Sequence, residues 1–88
     1  MKLKYSFECI DMGSEFIAVP VGKGAKEIQG VLKLNREGAE IITLLANDMT
    51  EKAIVQALRV RYKTSEGILT DYVHNTIEKL TAIGLIER

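Results

Sequence analysis

Hydrophobic positions recur with a period of two near the start of the chain and with a helical period over the remainder. Tyr5, Phe7 and Cys9 alternate with Lys4, Ser6 and Glu8, the pattern of a half-buried strand. Asp11-Met12-Gly13-Ser14 supplies a turn, and Phe16-Ile17-Ala18-Val19-Pro20-Val21 follows as an apolar, largely β-branched run. Pro20 cannot donate to a ladder, which places it at an edge or a strand end. The two runs predict a hairpin. Gly22-Lys23-Gly24 then breaks the strand, a polar loop follows, and Ile28 to Leu34 predicts a third strand ending at Asn35.

From Asn35 onward the pattern is helical. The Asn35 side chain can accept an amide of the first turn, and Glu37 complements the positive end of the helix dipole. Ala39, Ile41, Ile42, Leu44 and Leu45 form the apolar stripe of a helix ending near Ala46. Thr50 caps a second helix carrying Ala53, Ile54, Ala57 and Leu58, which runs to about Tyr62. Thr64 or Ser65 caps a third, with Leu69, Val73, Thr76, Ile77, Leu80 and Ile83 on one side and Gly84 as its left-handed terminator. Leu85 and Ile86 are then placed to fold back on the core. Three N-terminal β-strands followed by three α-helices define an α+β, winged helix-turn-helix-like fold.

Size and composition narrow the function. Eighty-eight residues, 47% of them hydrophobic, support one small domain spanning residues 1–88. Twelve basic and twelve acidic residues cancel, so no overall positive field attracts nucleic acid or an anionic membrane. One cysteine and one histidine offer neither a disulfide nor a metal site of ordinary donor set, and no cofactor is expected. A terminus without an apolar signal stretch, and no run near the roughly 20 residues of a membrane span, point to a soluble protein of the reducing cytoplasm. Gly22-Lys23-Gly24 lacks the Ser or Thr that a phosphate loop places after its Gly-Lys pair, and no catalytic dyad is visible. Cys9 reads as a small core thiol and His74 as a surface helix residue.

Four segments carry a family resemblance. The run Gly30-Val31-Leu32-Lys33-Leu34-Asn35-Arg36-Glu37-Gly38-Ala39 is the first, and Met49-Thr50-Glu51-Lys52-Ala53-Ile54-Val55 the second. Asp71 with Val73 and the closing Leu80-Thr81-Ala82-Ile83-Gly84-Leu85-Ile86 complete the set. In order and spacing they resemble the PqqD family (pyrroloquinoline quinone biosynthesis protein D), whose domain is also called the RiPP precursor peptide recognition element. The resemblance covers nearly the whole chain. It implies a non-catalytic protein that captures the leader of a ribosomally made precursor peptide and presents it to a modifying enzyme, often a radical SAM protein. PQQ itself is one of many peptide products that similar domains serve.

The implied groove lies between the third strand and the third helix, where a peptide adds as a strand and side-chain pockets supply selectivity. Its expected residues are Ile28, Gln29, Gly30, Val31, Leu32 and Lys33 on the strand, with Leu69, Tyr72, Val73 and Thr76 on the helix. Gly30 would let a second backbone approach closely. Leu69, Val73 and Ile77 equally fit the period of a buried helix face. Two alternatives share the fold. A winged-helix regulator would read DNA with the third helix, but Glu66, Asp71 and Glu78 against Lys79 make that helix acidic. A structural subunit would form a homodimer through the strand edge and occupy the groove.

Overall fold

The protein is represented by a computed structural model, in which residues 1–28 and 30–87 are described. The chain runs β1 (Lys2–Leu3), β2 (Ser6–Asp11), β3 (Phe16–Val21), a 3-10 helix (Lys23–Glu27), β4 (Leu32–Leu34), α1 (Arg36–Leu44), α2 (Glu51–Arg61), α3 (Glu66–Ala82) and β5 (Ile86–Glu87). The α+β class and the order of the sheet strands β2–β4 before the three helices are as expected, while β1 and the C-terminal β5 are additional. Strands β2, β3 and β4 form an antiparallel sheet in that order, while β1 and β5 pair separately.

The hairpin is set by its register: Phe7 opposes Pro20, Cys9 opposes Ala18 and Asp11 opposes Phe16. On the other side of β3, Phe16, Ile17 and Ala18 oppose Leu34, Lys33 and Leu32. Pro20 thus lies two residues past the last β4 partner, where its missing N–H costs no bond to β4.

The third strand is shorter than the apolar pattern implies. Residues 23–27 wind into the 3-10 helix that replaces the expected open loop, and Gly24 sits so close to the Tyr5 ring that an added Cβ would clash with it. Gly30 has φ +85°, a left-handed bend that no extended strand contains, so pairing starts only at Leu32. Nothing lies within 4 Å of where a Gly30 Cβ would stand. The glycine is there for its backbone angle, and it precedes the strand instead of lying at its midpoint.

Helix starts are fixed by short side-chain caps. Asn35, Thr50 and Ser65 accept from the backbone amides of Gly38 (2.8 Å), Ala53 (3.1 Å) and Ile68 (3.3 Å). The end of α3 is a Schellman motif, in which Gly84 N–H donates to the Thr81 carbonyl and Leu85 N–H to the Leu80 carbonyl, both at 3.0 Å. Gly84 has φ +80°. Gly84→Ala is therefore expected to cost about 1–2 kcal/mol, the penalty for a Cβ in the left-handed region, read as a lower midpoint in urea denaturation.

That turn sends Leu85 and Ile86 into the core, where both are buried. The terminal strands are held by tertiary contacts: Leu3 N–H donates to the Leu45 carbonyl and Lys4 N–H to the Leu85 carbonyl, each at 2.9 Å. Ile41, Ile42 and Leu45 of the α1 region meet Ile54, Val55 and Leu58 of α2 and Leu69, Val73, Ile77 and Leu80 of α3 in one core. Ala18 carries the sheet onto α1 and is fully buried. Burial of each such aliphatic side chain is worth about 1.5–3 kcal/mol, the main term holding so small a domain together.

Candidate functional site

A groove opens along the outer edge of β4. It is walled by α3, which runs antiparallel to the strand: Tyr72 stands beside Asn35, while Ile83 stands beside Leu32. The half nearer α1 has a volume of about 400 Å³ and is lined by Leu32, Lys33, Leu34, Asn35, Gly38, Tyr72, Thr76, Lys79, Leu80 and Ile83. A second cavity of about 370 Å³ shares Leu32 and Ile83 and continues past Ile28, Glu27 and Tyr5. Among the described residues β4 pairs with β3 alone, so its other edge offers main-chain groups to a further strand.

Tyr72 closes the α1 end. Its hydroxyl donates to Asn35 Oδ1 at 2.8 Å, the same oxygen that caps Gly38 N–H at 2.8 Å. One carboxamide oxygen thereby fixes both the start of α1 and the distance between β4 and α3, using both its lone pairs. The Arg36 guanidinium next to it lies 5.4 Å from the centre of the Phe16 ring. Thr76 donates its hydroxyl back to the Tyr72 carbonyl at 2.9 Å. At the far end the Glu27 carboxylate, as hydrogen-bond acceptor and neighbouring charge, holds the Tyr5 phenol above its ordinary pKa.

Asn35→Ala is expected to remove about 0.5–2 kcal/mol of stability through the lost cap, measurable by thermal melting. The same variant frees Tyr72 from α1. Tyr72→Phe, which keeps the cap, should lose less than Asn35→Ala, and equal losses would mean that the cap contributes nothing.

The expected groove residues divide. Leu32, Lys33, Tyr72 and Thr76 line the first cavity and Ile28 the second. By strand alternation Lys33 points away from the core-facing Leu32 and Leu34, so its contribution to the groove is its main chain. Gly30 and Val31 precede β4 and line neither cavity, Val31 being 49% exposed at the bend. Gln29 lies outside the described residues. Leu69 and Val73, at 4% and 0% exposure, sit in the core behind the groove, because helical periodicity turns them one row inward from Tyr72 and Thr76.

Residues absent from the expected set are Leu34, Asn35, Gly38, Lys79, Leu80 and Ile83. Ile83, expected on the apolar side of α3, is 59% exposed. The signal for two of them is present in the sequence: Tyr72, Thr76, Lys79 and Ile83 follow the i, i+4, i+7, i+11 spacing of one helix row.

Other reactive side chains lie away from this groove. Burial pushes the Cys9 thiol above its ordinary pKa, and its Sγ lies 3.9 Å from the Ala39 carbonyl. His74 Nδ1 is 3.0 Å from Glu51 and Nε2 is 3.8 Å from Glu78. Among the described residues no group of three or more His, Cys, Asp or Glu is placed to hold a metal ion, and no helix is long and apolar enough to cross a membrane.

A solved structure, TbiB1 in complex with the TbiA(beta) leader peptide, superposes with a TM-score of 0.73 over 99% of this chain and 95% of that one, at 17% sequence identity. The two share a fold. No curated protein matches the chain in sequence. The family model described as coenzyme PQQ synthesis protein D (PqqD) matches residues 17–86, which take in the hairpin's second strand, the groove and all three helices. The chain belongs to the PqqD family.

Proposed function

We propose that this protein is a non-catalytic binding partner that captures the leader of a ribosomally synthesised precursor peptide as an added strand on β4. It then presents that peptide to a separate modifying enzyme, such as a radical SAM protein. The observation that carries the proposal is the free β4 edge opening on an apolar groove against α3. A peptide there gains main-chain hydrogen bonds whatever its sequence, while Leu32, Leu80 and Ile83 supply side-chain selectivity. Family membership and the leader carried by TbiB1, which has the same fold, support the reading.

Delivery requires no chemistry from this chain. Tethering the leader raises the effective concentration of the rest of the precursor at the partner's active site. The raised Cys9 thiol and the carboxylate-engaged His74 accord with a binding role. The solvent side of α3 carries Glu66, Asp71 and Glu78, all exposed, which opposes approach to duplex DNA.

Calorimetric titration with the N-terminal portion of a short peptide encoded beside the gene tests the proposal. Saturable binding is expected, weakened about tenfold or more by Tyr72→Ala, since a ring at the groove margin covers a bound strand. Absence of heat with wild-type protein, alongside binding to duplex DNA, would replace leader capture with a regulatory role.

A further inference from the structure

The central strand β3 is apolar at all six positions, Phe16 to Val21. A strand of an antiparallel sheet with one solvated face alternates apolar and polar residues, whereas an unbroken apolar run belongs to a strand covered on both faces. Among the described residues only one face of this sheet packs on the core, and Ile17, Val19 and Val21 on the other are half-buried. Ala18 points inward to α1, and Phe7, Cys9, Leu32 and Leu34 pack against the core.

The other face carries Ile17, Val19 and Val21 of β3 together with Ile10 of β2, which opposes Ile17. None of the four packs against the core, and Ile10 is 44% exposed. The rims of this patch differ in charge. Glu8 opposes Val19 on the β2 side, and Lys33 opposes Ile17 on the β4 side. Both are exposed, and neither takes part in an ion pair among the described residues.

We propose that this outer face is where two copies of the chain associate, β3 against β3, with Glu8 of each protomer facing Lys33 of its partner. An apolar centre with an acid on one rim and a base on the other is self-complementary under a two-fold rotation. Turning a second copy over about an axis along β3 lays the β2 rim of one protomer across the β4 rim of the other. Sheets packed this way stand about 10 Å apart. The Glu8 and Lys33 levels differ by two residues, roughly 7 Å along the strand, which a lysine stem spans.

Burial of the second face explains why β3 has no polar position. The contact differs from pairing through the β4 edge, because it uses the face of the sheet and leaves the edge and the α3 groove open. Four apolar side chains from each protomer and two ion pairs in all make a small interface, so association is weak and concentration-dependent.

Sedimentation velocity of the wild-type chain from low micromolar to millimolar concentration is the test. A monomer–dimer equilibrium is expected. Val19→Lys should weaken it about tenfold or more with the melting temperature retained, because a charge would enter the apolar centre. Glu8→Lys and Lys33→Glu should each weaken it, and the double variant should regain it, since the swap restores opposite charges across the two-fold. A wild-type chain that stays monomeric to millimolar concentration would overturn the proposal, and so would a double variant no better than the singles. Dissociation of the dimer by saturating leader peptide would also overturn it, because it would place the contact at the β4 edge. The concentration series and the charge swap read out self-association whether or not a leader binds.

Discussion

Ile83→Glu is expected to abolish leader binding while leaving the fold intact. Ile83 is exposed and lines both cavities of the groove, so any strand running the length of β4 passes over it. In the free protein a polar side chain at that position stays hydrated, and the main cost is a carboxylate near the C-terminal end of α3, about 0.3–1 kcal/mol. In the complex two losses add. The isoleucine no longer buries apolar surface against the peptide, worth about 1.5–3 kcal/mol, and the carboxylate must shed water in an apolar groove for a further 1–3 kcal/mol or more, roughly. Together these amount to roughly a hundredfold or greater loss of affinity. Calorimetric titration beside a thermal melt reads both halves. Unchanged affinity in the folded variant would remove Ile83 from the site, and the continuous groove with it.

Ile77→Ala should have the opposite signature. Ile77 lies one residue after Thr76 on α3 but is fully buried, packed with the rest of the helical core. Truncation to alanine removes the transfer energy of the lost carbons and leaves a cavity, together about 2–5 kcal/mol. For a domain of this size each kcal/mol moves the melting temperature by about 4–8 °C, so a fall of roughly 10–40 °C is expected by circular dichroism. At temperatures where the variant remains folded, its affinity for the leader should be near that of the wild type. A shift of only a few degrees would mean that α3 is not packed as described.

Ile77 inside α3 and Ile83 at its C-cap show what the sequence could and could not convey. Period 3.6 identifies the stripe of Leu69, Val73, Ile77 and Leu80, and caps at Asn35, Thr50 and Ser65 are legible because each is a local hydrogen bond made by its own side chain. The division of α3 into a core row and a groove row is harder to read. Leu69 and Val73 look no different from groove residues until the sheet and α1 are in place, whereas Tyr72, Thr76, Lys79 and Ile83 share a row only one position away.

Strand boundaries are obscured for a different physical reason. Ile28 and Val31 carry β-favouring side chains, but the left-handed Gly30 between them bends the chain, and that φ is not written in an apolar pattern. The two-residue strands β1 and β5 have no periodic signal. Their pairing depends on the Schellman turn at Gly84 and on the Leu45 and Leu85 carbonyls, which come from distant parts of the chain. The apolar run of β3 is legible in sequence, yet its outward residues Ile17, Val19 and Val21 are only half-buried and stand apart from the core.

Leader capture on the β4 edge is tested most directly by a backbone amide NMR titration of the labelled protein with the leader segment. Shifts should concentrate at Leu32–Leu34 and along Tyr72, Thr76, Lys79 and Ile83, with slowed exchange of the β4 amides that acquire a strand partner. Saturable binding that leaves β4 unperturbed, with shifts confined to the outer face of the sheet or to α2, would contradict capture by strand addition.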